Sequence, residues 1–152
     1  MKIQKILLSR IDITAEGWDD FIFDLNPPHV DRLAQSFEKV GQIYPLLLLK
    51  DMEWLFLISG WARYLAMKKL NVKEAWARIF QLNEISKEEV LWLAVEVDCG
   101  RSFSPVARRR IFERFRDIAG YSEERLAKEV APAIGLDASV DMVRKILAEE
   151  IK

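Results

Sequence analysis

Two strand-length apolar runs, Tyr44 to Leu49 and Trp54 to Ile58, sit close together near the middle of the chain and lead directly into Ser59-Gly60. Each is far short of the ~20 residues that cross a bilayer, and their spacing predicts a hairpin of strands 44–50 and 54–58 joined by Asp51, Met52 and Glu53. From Trp61 to Leu70 the apolar period changes to a helical one, with Ala62, Leu65, Ala66 and Leu70 on one side. A hairpin that passes straight into an amphipathic helix needs a sheet with helices packed on it, so the class is α+β.

The flanking segments extend this pattern. Residues 2–13 alternate enough for a first strand, and 14–26 read as a loop containing Gly17. After Pro27 and Pro28, the residues Val30, Leu33, Phe37 and Val40 recur at helical spacing, and Gly41 supplies the left-handed residue that ends the helix. Asn71 caps the helix after the hairpin, residues 72–80 lead into another strand, and Ser86 caps a helix with Glu88 and Glu89 in its first turn. A break at 98–103 containing Gly100 sets the expected domain boundary, with an α/β domain over 1–100 and a helical domain over 101–152. Ser104-Pro105 starts a helix expected to reach Ile118 and stop at Gly120. Ser122 caps a short helix carrying Leu126, Ala127 and Val130. After a loop through Pro132 and Gly135, Ser139 caps a last helix carrying Val140, Val143, Leu147 and Ile151.

The 152 residues suffice for a domain of about a hundred residues and a small helical appendage, and with half of them hydrophobic a core is available. Cys99 is the single cysteine and His29 the single histidine, which excludes an internal disulfide and leaves no set of zinc ligands. The run Ile6 to Leu8 is interrupted by Ser9 and Arg10, so no signal peptide is expected. With no membrane-spanning run either, the sequence reads as cytoplasmic. A net charge of −1 gives no overall attraction to nucleic acid. Its distribution is uneven: residues 101–152 hold eleven Lys or Arg against nine acids, whereas the preceding part holds twelve against fifteen.

Ser59-Gly60 is the junction with chemical content. A helix N-terminus presents N–H groups and about half a positive charge, and a glycine lets an anion approach the backbone. Arg63, in the first turn, adds a guanidinium suited to phosphate. A turn glycine beside a surface arginine is the plainer alternative.

The order of motifs resembles a known family. Gly41-Gln42-Ile43-Tyr44-Pro45, the hairpin, Leu57-Ile58-Ser59-Gly60-Trp61-Ala62-Arg63-Tyr64-Leu65-Ala66 and residues 71–80 resemble the N-terminal domain of ParB-type partition proteins, marked by a Gly-x-x-Gln-Pro-like turn and a Gly-Glu-Arg-Arg-x-x-Ala helix start. Sulfiredoxins and a free-serine kinase share that superfold. Asp98 to Arg101 resembles the Glu-Asn-x-x-Arg motif that follows in ParB proteins, and Ser104-Pro105 the start of their helix-turn-helix domain. The resemblance implies a small mixed sheet with helices followed by a three-helix, helix-turn-helix-like domain. It implies a CTP-like nucleotide or phosphate held by Ser59, Gly60, Trp61, Arg63, Asp98 and Arg101. Trp61 and Ala62 replace the family's Glu and first Arg, and Val97 and Asp98 replace Glu and Asn of the later motif, so nucleotide hydrolysis is expected to be slow or absent. Sulfiredoxin's cysteine would fall on Trp61, which excludes that chemistry, and the kinase's acid and histidines have no counterparts at Ser59, Trp61 and Ala62.

The helical domain carries Arg108, Arg109, Arg110, Arg114 and Arg116. A helical projection puts Arg109 and Arg116 outside, with Arg108 and Arg114 flanking the apolar side. With Arg144 and Lys145 of the last helix, Arg109 and Arg116 are the expected DNA contacts. Partners implied are DNA, a nucleotide and a second copy or another protein. A small enzyme of the same superfold acting on nucleotide or phosphorylated substrates, nuclease-like or kinase-like, and a protein-interaction module stay open as alternatives. For the enzyme reading, the acids Glu16, Asp19, Asp20 and Asp98 have no spacing that singles them out.

Overall fold

The computed structural model describes residues 2–13, 27–97 and 103–148. The expected loop at 14–26, with Glu16, Asp19 and Asp20, and residues 98–102 of the expected boundary segment 98–103, with Asp98, Cys99 and Arg101, lie outside the described residues. The chain divides into two compact units, Met1–Ser86 and Lys87–Lys152.

The first unit is built on β1 (Lys2–Leu7), α1 (Pro27–Val40), β2 (Leu46–Asp51), β3 (Trp54–Ser59), α2 (Trp61–Lys69) and β4 (Glu74–Gln81), with a 3-10 turn at Leu8–Arg10. Its four strands lie in the order β1-β4-β2-β3. β4 runs antiparallel to β1 and parallel to β2, which makes the sheet mixed. The register places Leu46 beside Ala77 and Leu48 opposite Leu57. Period-2 alternation then turns these residues together with Ala75 toward one face, where they bury against Trp61, Tyr64 and Met67 of α2. Phe37 of α1 packs on the same cluster. The first element is shorter than the alternation of residues 2–13 predicts: after Leu7 the backbone folds into the 3-10 turn, which brings Leu8 and Ile11 into the core.

Gly41, at φ +74, ends α1, and Asn71, at φ +59, follows α2, so both left-handed stops stand where the sequence predicts them. The hairpin connection differs by one residue. Met52 adopts φ +55, which closes the turn over Met52 and Glu53 alone and keeps Asp51 in the ladder opposite Trp54. Methionine has no intrinsic preference for that conformation, and Met52 is almost fully exposed. Met52→Asn is therefore expected to stabilise the protein by about 0.5–1 kcal/mol, raising the melting midpoint by roughly 1–4 °C. A thermal melt with unchanged or lowered midpoint would refute this.

The second unit holds α3 (Lys87–Val97), α4 (Pro105–Asp117), α5 (Glu123–Arg125), a π-helical turn (Leu126–Val130), α6 (Ala131–Ala133) and α7 (Val140–Ala148). Three serine caps start helices as the sequence predicts. Ser104 Oγ accepts from Ala107 N at 3.1 Å, Ser122 Oγ from Arg125 N at 3.2 Å and Ser139 Oγ from Met142 N at 3.2 Å. Pro132, expected in a loop, lies inside α6. The π-helical turn before it routes the Ala131 N–H back to Leu126 O, so the chain widens just ahead of the residue that has no N–H to give.

The core of this unit joins Ile111, Phe112 and Phe115 of α4 to Val90 and Leu91 of α3, Leu126 and Val130 of the π turn and Val143 of α7. Phe115 packs in tilted contact between Trp92 at 4.9 Å and Tyr121 at 5.2 Å, measured between ring centroids. The Tyr121 hydroxyl donates to Glu88 and accepts from Trp92 Nε1 at 3.0 Å, while the Arg125 guanidinium lies 3.8 Å from its ring centroid. Burial, reinforced by the Glu88 hydrogen bond, raises the Tyr121 phenol above its ordinary value.

Candidate functional site

The β3–α2 junction in the first unit is shaped by one backbone conformation. Gly60 is the N-cap of α2 at φ +102 and ψ 24, with no side-chain cap, and its carbonyl accepts from Tyr64 N at 2.7 Å. A Cβ at this position would stand 2.8 Å from Leu46 Cδ2 and 3.2 Å from Arg63 Nη2. Both the dihedral and the crowding require glycine. The same distances show that the Arg63 guanidinium lies folded over the entrance of the helix, and its Cζ is 5.7 Å from the centroid of the Tyr44 ring.

Ser59 is 95% buried, at 5% exposure, and its hydroxyl has no hydrogen-bond partner among the described residues. A buried hydroxyl without a partner carries a desolvation cost that a ligand oxygen or ordered water would remove. Ser59, Gly60 and Arg63 thus lie together at this junction. Trp61 is different: its ring packs edge-on to Tyr64 at 5.3 Å inside the core. Burial raises the Tyr64 phenol. Beside Arg63, a mainly apolar cavity of about 210 Å³ opens between Leu33, Phe37, Tyr44, Ala66 and Met67.

Gln42 is a structural residue that sequence reasoning passed over, although its motif was visible. Its Nε2 donates to Tyr44 O at 2.9 Å and Trp76 O at 2.8 Å, while its Oε1 accepts from Trp76 N at 2.7 Å. One side-chain amide thus fixes the turn after α1 to the start of β4 and positions Tyr44 next to the junction. Gln42 directly follows Gly41 in that turn, and Tyr44 holds the position of the motif's glutamine.

In the second unit, most of the expected DNA contacts are already engaged with acids. Arg109 Nε reaches Glu113 Oε1 at 2.6 Å, and the arginine side chain is only 22% exposed. Arg116 binds Asp117 in a two-pronged contact of 2.7 and 3.2 Å, and these hydrogen bonds hold the Asp117 carboxyl below its ordinary value. Arg144 Nε lies 2.6 Å from Glu123 Oε2, joining α7 to the start of α5, with Asp141 3.6 Å from its Nη1. Lys145 is exposed and forms no ion pair among the described residues. Arg108 is part-buried, its Nε without a hydrogen-bond partner among the described residues. The connection between α6 and α7 spans residues 134–139, longer than the three or four of a standard helix-turn-helix.

No group of three or more His, Cys, Asp or Glu side chains that could hold a metal occurs among the described residues, and no described helix is long and apolar enough to cross a membrane.

No family model matches the sequence, and no curated protein matches it. Solved structures do. A C-terminally truncated chromosome-partitioning protein ParB from Caulobacter crescentus, crystallised with CTP-gamma-S, aligns with a TM-score of 0.55 at 12% identity, covering 97% of this chain and 77% of that one. A Pnob8-like ParB-N domain aligns with a TM-score of 0.55 at 20% identity over 86% of this chain, which spans 47% of that one. Sulfiredoxin from Arabidopsis thaliana aligns at 19% identity and a TM-score of 0.47, covering 62% of this chain. The fold is ParB-like.

Proposed function

We propose that, on this ParB-like fold, the chain is a ParB-like DNA-binding protein of partition or regulator type, with a CTP-like nucleotide or phosphate site at Ser59, Gly60 and Arg63. The observation that carries the site is the left-handed Gly60 at the N-cap of α2, crowded by Leu46 and roofed by Arg63, with the partnerless Ser59 hydroxyl beside it. A helix entrance whose cap is glycine accepts an anion where a capping side chain would otherwise stand. The cavity lined by Phe37, Tyr44 and Met67 gives the apolar part of a nucleotide a place next to the phosphates. That a protein of the same fold was crystallised with CTP-gamma-S favours a nucleoside triphosphate over free phosphate.

The proposed role is binding, with hydrolysis slow or absent, because Trp61 is committed to the core and Ala62 offers no charge at the positions where the resembled motif has Glu and Arg. The helical unit contributes DNA contact through Lys145 and through Arg109, Arg116 and Arg144 once their carboxylate partners yield to phosphate, with a second copy or protein partner supplying a second half-site.

The test is thermal melting with CTP, ATP, ADP and inorganic phosphate. A ligand at about a hundred times its Kd adds about 2.7 kcal/mol, which raises the midpoint by roughly 5–10 °C. The expected order is CTP above the rest, with the shift lost in Arg63→Ala. If none of the four moves the midpoint, the junction is a plain turn.

A further inference from the structure

On the β1–β4 side of the sheet, two large aromatic rings stand in solvent where a monomer would ordinarily bury them: Tyr44 is 64% and Trp76 45% exposed. They are not loosely placed. The Gln42 side-chain amide hydrogen-bonds the backbone of both residues, so the two rings are carried on segments fixed to one another. Each ring is also flanked by a cation: Lys5 Nζ lies 5.2 Å from the Trp76 centroid, and Arg63 Cζ lies 5.7 Å from that of Tyr44. Arg78, next outward residue on β4 and opposite Ile3, has a buried Nε with no hydrogen-bond partner among the described residues. Ile3, Gln42, Tyr44, Trp76 and Arg78 line a shallow hollow of about 370 Å³. Along the outward positions of β1 and β4, Lys5 and Arg78 face one acid, Glu74.

We propose that Tyr44 and Trp76 form a stacking platform for single-stranded nucleic acid, with Lys5 and Arg78 meeting its phosphates. Exposed rings interleaved with cations match a strand that offers a flat base and a negative charge at every step. A paired duplex hides its base faces, so the platform selects single strands. A second copy of the chain is the poorer occupant. A two-fold contact through this patch would set Lys5, Arg63 and Arg78 against their own equivalents, placing like charges across the interface.

The experiment is a fluorescence-anisotropy titration of the full chain against a labelled oligothymidylate of roughly ten nucleotides at low salt, with a matched duplex as competitor. Tyr44→Ala and Trp76→Ala are each expected to weaken binding about tenfold or more, because stacking is lost, while Tyr44→Phe and Trp76→Phe retain it. Both rings are exposed, and circular dichroism and the melting midpoint confirm that the variants fold. Lys128→Ala, which removes an exposed cation outside this surface, should leave single-strand binding unchanged. The proposal is overturned if the oligonucleotide does not bind, if both alanine variants bind it as the wild type does, or if the protein is a dimer that Tyr44→Ala converts to monomer.

Discussion

Gly60→Ala is expected to lose both stability and the nucleotide or phosphate response. Holding a non-glycine residue at φ +102 costs about 1–2 kcal/mol, and placing a Cβ 2.8 Å from Leu46 Cδ2, a core side chain, adds about 1–2 more. The midpoint should fall by roughly 4–15 °C. Gly41→Ala is the matched control: its φ is +74, yet a Cβ there meets nothing within 4 Å, so only the conformational strain of about 1 kcal/mol applies. Calorimetric melts of the two variants, with and without CTP, separate strain from close approach. Equal losses of stability in both would mean that the crowding at Gly60 relaxes freely.

Phe115→Ala should be more damaging still. Its ring is fully buried between Trp92 and Tyr121, and emptying such a site costs about 3–5 kcal/mol. A midpoint lowered by roughly 6–20 °C is expected, accompanied by loss of low-salt duplex DNA binding, since α4 and α7 carry the four candidate cations. Phe115→Leu, which keeps most of the volume, should recover most of both. Duplex binding that survives in Phe115→Ala above its lowered midpoint would show that the helical unit is not the contact.

What was legible in the sequence is what chain-local chemistry dictates. Ser104, Ser122 and Ser139 announce helices because a hydroxyl three residues before an amide satisfies it whatever the rest of the fold does, and Gly41 ends α1 for an equally local reason. The helix start after Ser59-Gly60 was legible from the change of apolar period at Trp61. Sheet order was not: nothing in the alternation of residues 74–81 says that β4 inserts between β1 and β2, because that pairing is decided by which faces must be buried together. The hairpin turn is one residue shorter than expected because Met52, which takes the left-handed position, lacks turn chemistry, and Pro132 lies in a helix because a π-helical turn relieves its missing donor. Trp61 looked like a ligand neighbour by position, but its ring is held by the core. The pairing of Arg144 with Glu123, twenty-one residues apart, is likewise a tertiary event no helical projection contains.

Those arginine–carboxylate pairs alter how the helical unit can meet a polyanion. A phosphate approaching Arg109, Arg116 or Arg144 must displace Glu113, Asp117 or Glu123, each tethered to the protein. Tethered competitors act at an effective concentration of order millimolar or above and cannot be diluted away. The pairs are internal counterions. Because displacing them releases nothing to the bulk, they contribute little to the mass-action gain that makes nucleic-acid binding steeply salt-dependent, ordinarily about −0.9 in log–log slope for each phosphate neutralised. The salt dependence of duplex binding then counts Lys145 and its like, not the arginines.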